Sequence, residues 1–218
     1  KVTLVEKSPT IGGYMAMLNE VFPTNDCSIC VLAPKMVDVS NHKNIKLLTN
    51  AEVVEANGVV GNFKVKIKKY PRYVDEEKCR GCVEDCTKVC PIELPNEYTF
   101  GLGKRKAIYV PYPQAIPYKV SIDTKHCVGC GLCKEACGVE AIDYEQKAEE
   151  YEFQVGAIIV ATGWQPFDAR RKKEFGYGRY PNVITTLEVE RILNASGPTM
   201  GELRRISDGK IPKKIAFI

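Results

Sequence analysis

The spacing of the cysteines is the feature that most constrains what this chain can fold into. Ten cysteines occur among its 218 residues, and they fall in three tight groups. A disulfide framework in a secreted protein scatters its cysteines along the chain, whereas metal and cluster sites draw on closely spaced ones. The grouping therefore predicts metal chemistry in a cytoplasmic protein.

Two of the groups have the spacing of a two-cluster ferredoxin. The first reads C-x2-C-x3-C-x3-C-P and the second reads C-x2-C-x2-C-x3-C. In such runs three closely spaced thiolates hold one [4Fe–4S] cluster, and the fourth cysteine ligates the other cluster. On this rule one cluster takes Cys79, Cys82, Cys86 and Cys137, and the other takes Cys127, Cys130, Cys133 and Cys90.

Two details of these runs bear on the assignment. Gly81, Gly129 and Gly131 are expected to let the loops turn tightly around a cluster. Three residues separate Cys82 from Cys86 where the bacterial run has two, so one loop is expected to be distorted. The alternative is a pair of zinc sites, but zinc ribbons usually pair two C-x2-C knuckles and lack the third close cysteine. The spacing favours iron–sulfur clusters.

The third group, Cys27 and Cys30, leaves three interpretations open. The pair supplies half of the ligands of a further [4Fe–4S] cluster, shared with cysteines outside this sequence. Alternatively it forms a redox-active dithiol, as other C-x2-C pairs do, or consists of two buried structural thiols. Ligation of a further cluster is the favoured interpretation.

The rest of the chain reads as an α/β body. Hydrophobic periodicity predicts strands over 1–6, 152–161 and 213–218, two strands within 44–68 with a turn at Asn57-Gly58, and a helix over 187–193. A short helix is also predicted from Tyr14, and 25–30 is predicted as a loop. The cysteine-rich segment interrupts this pattern, so the predicted domains are residues 1–73 and 148–218 as one body, with 74–147 inserted.

Two turns in the α/β body are typical of dinucleotide-binding proteins. A strand ending in Glu6 and followed by Gly12-Gly13 matches the second strand of that fold, where the acid binds the ribose hydroxyls. Ala161-Thr162-Gly163 follows an apolar run, and such a turn lets the backbone approach a cofactor. The G-x-G-x-x-G turn that should come first is absent, so it is expected upstream of Lys1.

Composition excludes two classes of function. No run of 18 apolar residues occurs, so no membrane span is predicted. The net charge is only +4, and the basic residues are scattered without a recognition motif, so nucleic-acid binding is not expected. Part of that positive charge is expected to balance anionic clusters.

Several long strings carry a family resemblance in addition to the cysteine runs. They are LVEKSPTIGG, FPTNDCSICVLAPKM, PNEYTFGLGKRKAIYVPYPQAIP, VGAIIVATGW, NVITTLEVERILNASGPTMGEL and SDGKIPKKIAFI. With them the whole chain resembles the A subunit of heterodisulfide reductase, a family of flavin and iron–sulfur proteins of methanogens and related anaerobes. The family's chains are much longer, so the sequence is expected to be a central piece of one.

The resemblance implies more than the spacing does. It implies an incomplete thioredoxin-reductase-like FAD-binding core with an inserted α+β ferredoxin-like domain, in an oxidoreductase subunit that performs flavin-based electron bifurcation. Its partners would be other subunits of the complex, a ferredoxin, and a hydrogenase or formate dehydrogenase as electron donor. Disulfide reduction would occur on a partner subunit, so no catalytic residue is expected here. The expected FAD contacts are Glu6, Lys7, Gly12, Gly13, Val53, Ala161, Thr162 and Gly163.

Two alternatives remain open at the level of sequence. One is a related flavin subunit of a quinone-linked or sulfur-metabolism complex. The other is a flavin-free electron carrier of the ferredoxin type.

Overall fold

The computed structural model describes residues Lys1–Ile218. The strands are β1 Val2–Val5, β2 Glu20–Val21, β3 Asp26–Cys27, β4 Ile45–Leu48, β5 Ala51–Val59, β6 Asn62–Lys69, β7 Glu93–Pro95, β8 Lys104–Lys106, β9 Ile108–Tyr109, β10 Ser121–Ile122 and β11 Glu149–Val155. The α-helices are α1 Ser28–Asn41, α2 Val83–Lys88, α3 Leu132–Glu135 and α4 Thr186–Leu193. Single 3-10 turns lie at Gly13–Met17, Glu97–Thr99, Ala169–Arg171 and Lys173–Phe175. None of the helices has the length and apolar character needed to cross a membrane.

The first 48 residues contain a β–α–β unit. Strands β1 and β4 pair in parallel, with Val2 opposite Ile45 and Val5 opposite Leu48. Parallel strands need a long crossover between them, and helix α1 lies in that connection. This supports the α/β prediction, but two local predictions are wrong. Helix α1 begins at Ser28, inside the predicted loop, and the helix predicted from Tyr14 is only a 3-10 turn.

Strands β5, β6 and β11 form an antiparallel sheet in the order β11-β6-β5. The turn between β5 and β6 lies at 60–61, so the turn predicted at Asn57-Gly58 is wrong. Asn57 and Gly58 instead pair within the hairpin, opposite Lys64 and Phe63. An Asn-Gly pair is a strong local turn signal, but burial of alternate residues of β6 sets the register.

The two apolar runs predicted as later strands are also different in the structure. Strand β11 ends at Val155, which pairs with Phe63 near the beginning of β6. Beyond it, Gly156 accepts one backbone hydrogen bond from the N–H of Gly61 at 2.9 Å, and the strand pairing then stops. Residues 156–161 lie outside any strand, and Ile159 is 90% exposed. The predicted strand over 213–218 is likewise unpaired, with Phe217 85% exposed. Apolar character alone therefore overpredicted strands that have no hydrogen-bonding neighbour.

The chain divides into two compact units. The first comprises Lys1–Gly12, Ala33–Leu94 and Arg105–Thr162, and the second comprises Gly13–Leu32, Pro95–Lys104 and Gly163–Ile218. The domain boundaries predicted from sequence, 1–73, 74–147 and 148–218, remain a prediction.

Arg72 connects three segments of the first unit. Its guanidinium is almost wholly buried, with 2% of the side chain exposed, and it donates to the carbonyls of Pro9 at 2.8 Å and Lys119 at 3.2 Å. It also donates to the hydroxyl of Thr49 at 2.8 Å and to the carboxylate of Glu76 at 3.0 Å. One buried cation therefore joins the β–α–β region to the cysteine-rich segment.

The second unit is organised by helix α4. The predicted helix over 187–193 is confirmed, and a reciprocal capping box between Thr185 and Glu188 begins it. Arg191 on this helix is fully buried and donates to the carbonyls of Met17 and Ser196, while its guanidinium lies 4.7 Å from the ring centre of Tyr98. Burial lowers the pKa of this guanidinium, so its hydrogen bonds to these carbonyls stabilise a charge that has little water around it.

Candidate iron–sulfur centre

The eight cysteines of the two runs lie in the first unit, around one hydrophobic core. Cys79, Cys86 and Cys133 are members of that core and are less than 9% exposed. Its other buried members are apolar: Val74, Ile108, Val120, Ile122, Ala141 and Ile142. Thiols in an apolar setting can act as ordinary core residues or as cluster ligands, and the arrangement of the sulfurs distinguishes the two.

The two runs have the same local structure. In each, two cysteines lie in a loop, the third lies on a short helix, and the fourth comes two residues after that helix ends. The helices are α2, which carries Cys86, and α3, which carries Cys133, and the two helices contact each other. This repetition places equivalent sulfurs on both sides of the core.

The extra residue between Cys82 and Cys86 is absorbed by the helix. Cys82 is the N-cap of α2, which has six residues, whereas Gly131 is the N-cap of α3, which has four. Gly131 has a φ of +79°, and Gly81 has a φ of +75°. A Cβ on Gly81 would lie 2.7 Å from the ring of Tyr118, so glycine is required there for both conformation and space.

Four thiols surround each of two cavities. One cavity, which is partly open to solvent, is lined by Cys79, Cys82, Cys86 and Cys137. The other is lined by Cys90, Cys127, Cys130 and Cys133. Each cavity thus combines three cysteines of one run with the fourth cysteine of the other run. The same groupings were predicted as ligand sets from the spacing, and ligation of clusters by them stays a prediction.

Hydrogen bonds reach three of these sulfurs. The N–H of Ala141 donates to Sγ of Cys137 at 3.3 Å, and the N–H of Gly129 donates to Sγ of Cys127 at 3.5 Å. The hydroxyl of Tyr144 lies 3.2 Å from Sγ of Cys133. Such contacts favour thiolate over thiol and tune the reduction potential of a bound cluster. The role of Tyr144 could not be read from the cysteine spacing.

Burial raises the pKa of two of the unligated thiols, those of Cys86 and Cys133. Loss of solvent raises the pKa of the Cys86 thiol to about 12, and repulsion from the neighbouring Cys133, Cys79 and Cys82 adds to the effect. Burial also raises the pKa of the Cys133 thiol, whereas its contact with Tyr144 acts in the opposite direction. Four thiolates around one cavity repel each other unless a cation compensates them, and iron supplies that positive charge in a cluster.

The donor sets of the two cavities suit [4Fe–4S] clusters, because each cavity offers four thiols. No group of three or more His, Cys, Asp or Glu side chains converges closely enough to hold one metal ion. The thiols instead line the walls of a space with apolar side chains between them, which is the environment of a protein-bound [4Fe–4S] cluster.

Most of the predicted FAD contacts lie in turns or irregular segments, and Val53 lies on β5. Glu6 directly follows β1, and its carboxylate accepts from the N–H of Ser8 at 2.7 Å. Gly12 and Gly13 both have positive φ, and a Cβ on Gly13 would meet no atom within 4 Å. The other predicted contacts, Val53 among them, are exposed. Lys7 forms an ion pair with Glu52. Ala161, Thr162 and Gly163 lie in the irregular segment that follows β11.

Cys27 and Cys30 form a disulfide instead of two free thiols. A disulfide sulfur is not a thiolate ligand, so the disulfide form of the pair does not test whether the reduced pair binds iron. Ligation by the reduced pair remains a prediction.

Comparison with known proteins supports these chemical features. The family model described as a 4Fe-4S binding domain matches residues 120–143, which contain the second cysteine run. The A subunit of the Ferredoxin/F(420)H(2)-dependent CoB-CoM heterodisulfide reductase of Methanosarcina acetivorans is 60% identical over 217 residues, covering 100% of this chain and 27% of that protein. The whole length of this chain matches one segment of the heterodisulfide reductase A subunit.

Further A-subunit sequences give the same result. The iron-sulfur A subunit of the CoB--CoM heterodisulfide reductase of Methanocaldococcus jannaschii is 58% identical. The A subunit of the H(2):CoB-CoM heterodisulfide,ferredoxin reductase of Methanothermobacter marburgensis is 55% identical. Each covers the complete chain, which spans 33% of their length. The resemblance to the heterodisulfide reductase A subunit is confirmed, and the chain spans about a quarter to a third of the curated relatives it matches.

Proposed function

We propose that this chain is the electron-transferring part of a flavin and iron–sulfur subunit in a complex of the heterodisulfide reductase type. Two cavities that each collect four cysteines are the observation that carries the proposal. Clusters bound there would supply one-electron transfer, while the chain's own residues hold the thiolates, donate hydrogen bonds to them and keep most water away.

The proposed ligand sets follow the cavities. Cys79, Cys82, Cys86 and Cys137 hold one [4Fe–4S] cluster, and Cys127, Cys130, Cys133 and Cys90 hold the other. Both cavities draw on the same apolar core, and α2 contacts α3, so the two clusters would lie close together. Electrons can pass between neighbouring clusters without a substrate-binding residue in this chain.

The metal content tests this proposal directly. The full-length protein and a variant with the eight cysteines replaced by alanine are both purified without oxygen. Iron, zinc and acid-labile sulfide are then measured in each. We expect that variant to lose about eight irons per chain, since each of two clusters contains four. Two equivalents of zinc lost in place of iron, with no change in labile sulfide, would replace the cluster proposal with structural zinc sites.

The flavin part of the proposal rests on the turns around β1. A parallel β–α–β unit with an acid directly after its first strand is the arrangement in which a carboxylate binds the adenosine ribose. Glu6, Lys7, Gly12 and Gly13 are proposed FAD contacts on this side, and Val53, Ala161, Thr162 and Gly163 are proposed further contacts. The chain thus would contribute part of a thioredoxin-reductase-like FAD-binding core.

Replacement of Glu6 tests that assignment. In the full-length protein we expect Glu6→Ala to lower FAD retention after gel filtration about tenfold or more, because two ribose hydroxyls lose a charged acceptor. Glu150→Ala is the matched control, since Glu150 is an exposed acid on β11 of the same unit and is not a proposed FAD contact. Equal FAD content in the two variants would make Glu6 an ordinary acid of a turn.

The wider role of the complete protein is also proposed. It would act in the cytoplasm with the other subunits of the complex, a ferredoxin, and a hydrogenase or formate dehydrogenase. The flavin would divide electron pairs between a high-potential and a low-potential acceptor, with disulfide reduction on a partner subunit. The printed names of the relatives support this, since they combine heterodisulfide with ferredoxin, F420H2 or hydrogen.

A further inference from the structure

The disulfide between Cys27 and Cys30 is the remaining chemical group that the proposed electron path does not use. Its two cysteines are three positions apart, and both are exposed. Stabilisation by a disulfide grows with the length of the loop that it closes, so this very short loop contributes little to folding. An exposed bond with little structural purpose is accessible to thiol–disulfide exchange.

The pair lies at the beginning of a long helix. Cys27 directly precedes α1, a helix of 14 residues, and Cys30 lies in its first turn. The N–H of Cys30 donates to Sγ of Cys27 at 3.3 Å, so the sulfur occupies the place of an N-cap acceptor. The N–H of Cys30 and the helix dipole at this end stabilise a thiolate on Cys27. Glu20, opposite Cys27 in the β2–β3 ladder, and Asp26 act against it, but both are exposed to water.

The residue that follows Cys27 holds the helix end in place. Ser28 is fully buried, its N–H donates to the carbonyl of Asn19 at 3.0 Å, and its hydroxyl donates to the carbonyl of Met15. Reduction of the disulfide therefore leaves the backbone fixed and the two sulfurs near each other. A dithiol kept in this geometry can close again to the disulfide without reorganising the chain.

We propose that Cys27 and Cys30 form a two-electron redox site that exchanges with external thiols and disulfides, with Cys27 as the attacking thiolate. The Cys27 thiolate attacks one sulfur of a low-molecular-weight disulfide, forming a mixed disulfide and releasing one thiolate. The Cys30 thiolate then attacks Sγ of Cys27, re-forming the protein disulfide and releasing the second thiolate. The two protons of the protein dithiol pass through solvent to the two released thiolates, and two electrons pass to the external disulfide.

The test uses the full-length protein, purified without oxygen, in buffers with graded ratios of reduced to oxidised dithiothreitol. After an acid quench, differential alkylation and mass spectrometry measure the oxidised fraction at each cysteine. We expect the oxidised fractions of Cys27 and Cys30 to change together with the dithiothreitol ratio, along one curve for a two-electron couple. A pair that stays oxidised in the most reducing buffer while the protein remains folded would be a structural disulfide, and a pair that never oxidises would also overturn the proposal.

A pair of single variants identifies the nucleophile. After reduction, Cys30→Ser leaves Cys27 available, and Cys27→Ser leaves Cys30 available as its matched control. We expect Cys27 to react with oxidised dithiothreitol at least about tenfold faster than Cys30, because it has the helix N–H groups as partners. Equal rates, or a faster Cys30, would contradict the assignment of Cys27.

Iron content separates the redox site from the alternative of cluster ligation. The double variant Cys27→Ser with Cys30→Ser should keep all the iron and labile sulfide of the parent protein. A loss of about four irons per chain would show that the pair ligates a further cluster and would overturn the proposal.

Discussion

Replacing Cys79 and Cys137 together should remove no more iron than replacing either one alone. Both cysteines line the same cavity, so each single alanine variant is expected to lose about four irons per chain and the double variant also about four. Replacing Cys79 and Cys90 together should remove about eight, because those two cysteines line different cavities. Iron and labile sulfide, measured on the full-length protein, give the answer.

If each run closed its own cluster, the two double variants would exchange their results. The double variant at Cys79 and Cys90 would then lose about four irons per chain, and the double variant at Cys79 and Cys137 would lose about eight. Serine variants provide a second measurement in case alanine variants lose both clusters. Because serine offers an oxygen ligand, Cys79→Ser and Cys137→Ser should alter the electron paramagnetic resonance signal of the same reduced cluster, and Cys90→Ser that of the other.

Arg72→Met is expected to destabilise the first unit by about 3 kcal/mol or more. The substitution leaves the carbonyls of Pro9 and Lys119 and the hydroxyl of Thr49 without their buried donor, and each such loss costs about 1–3 kcal/mol. Glu76 is about one-third exposed and contributes little to this sum. Urea unfolding followed by the visible absorbance of the clusters measures the change in the unit that contains them.

Arg170→Met is the control for this measurement. The side chain of Arg170 is 69% exposed and its ion pair with Asp168 is 3.6 Å long, so its loss should change stability by less than about 0.5 kcal/mol. A shift of under about 1 kcal/mol for Arg72→Met would mean that water replaces the guanidinium at all three acceptors.

Local spacing carried most of the information about the candidate site. Two cysteine runs predicted which four sulfurs would share each cavity, because three ligands of each set lie within one short loop and helix. The same reasoning could not find Tyr144, whose hydroxyl contacts Cys133 from 11 positions away. Nor could it show that Cys27 and Cys30 would be oxidised, because the same spacing serves ligands and disulfides.

The fold was predictable where the signal was local and less so where it depended on pairing partners. The helix from Thr186 was recognisable because its capping box and its periodicity agree. The end of β11 at Val155 was not recognisable from the sequence. It is set by the partner strand, because Val155 already pairs with Phe63, the second residue of β6. The hairpin turn at 60–61 likewise depends on which residues of β6 are buried rather than on the Asn-Gly pair.

The sharing of Cys90 and Cys137 between the two cavities has a consequence for biogenesis. Neither set of four sulfurs is complete until both α2 and α3 have folded. A chain synthesised only as far as the first cysteine run therefore lacks a complete set of ligands for iron and sulfide. Maturation machinery would meet either an empty chain or one able to accept both cubes. Loading of either proposed cluster would therefore wait until the second run has been synthesised and folded against the first.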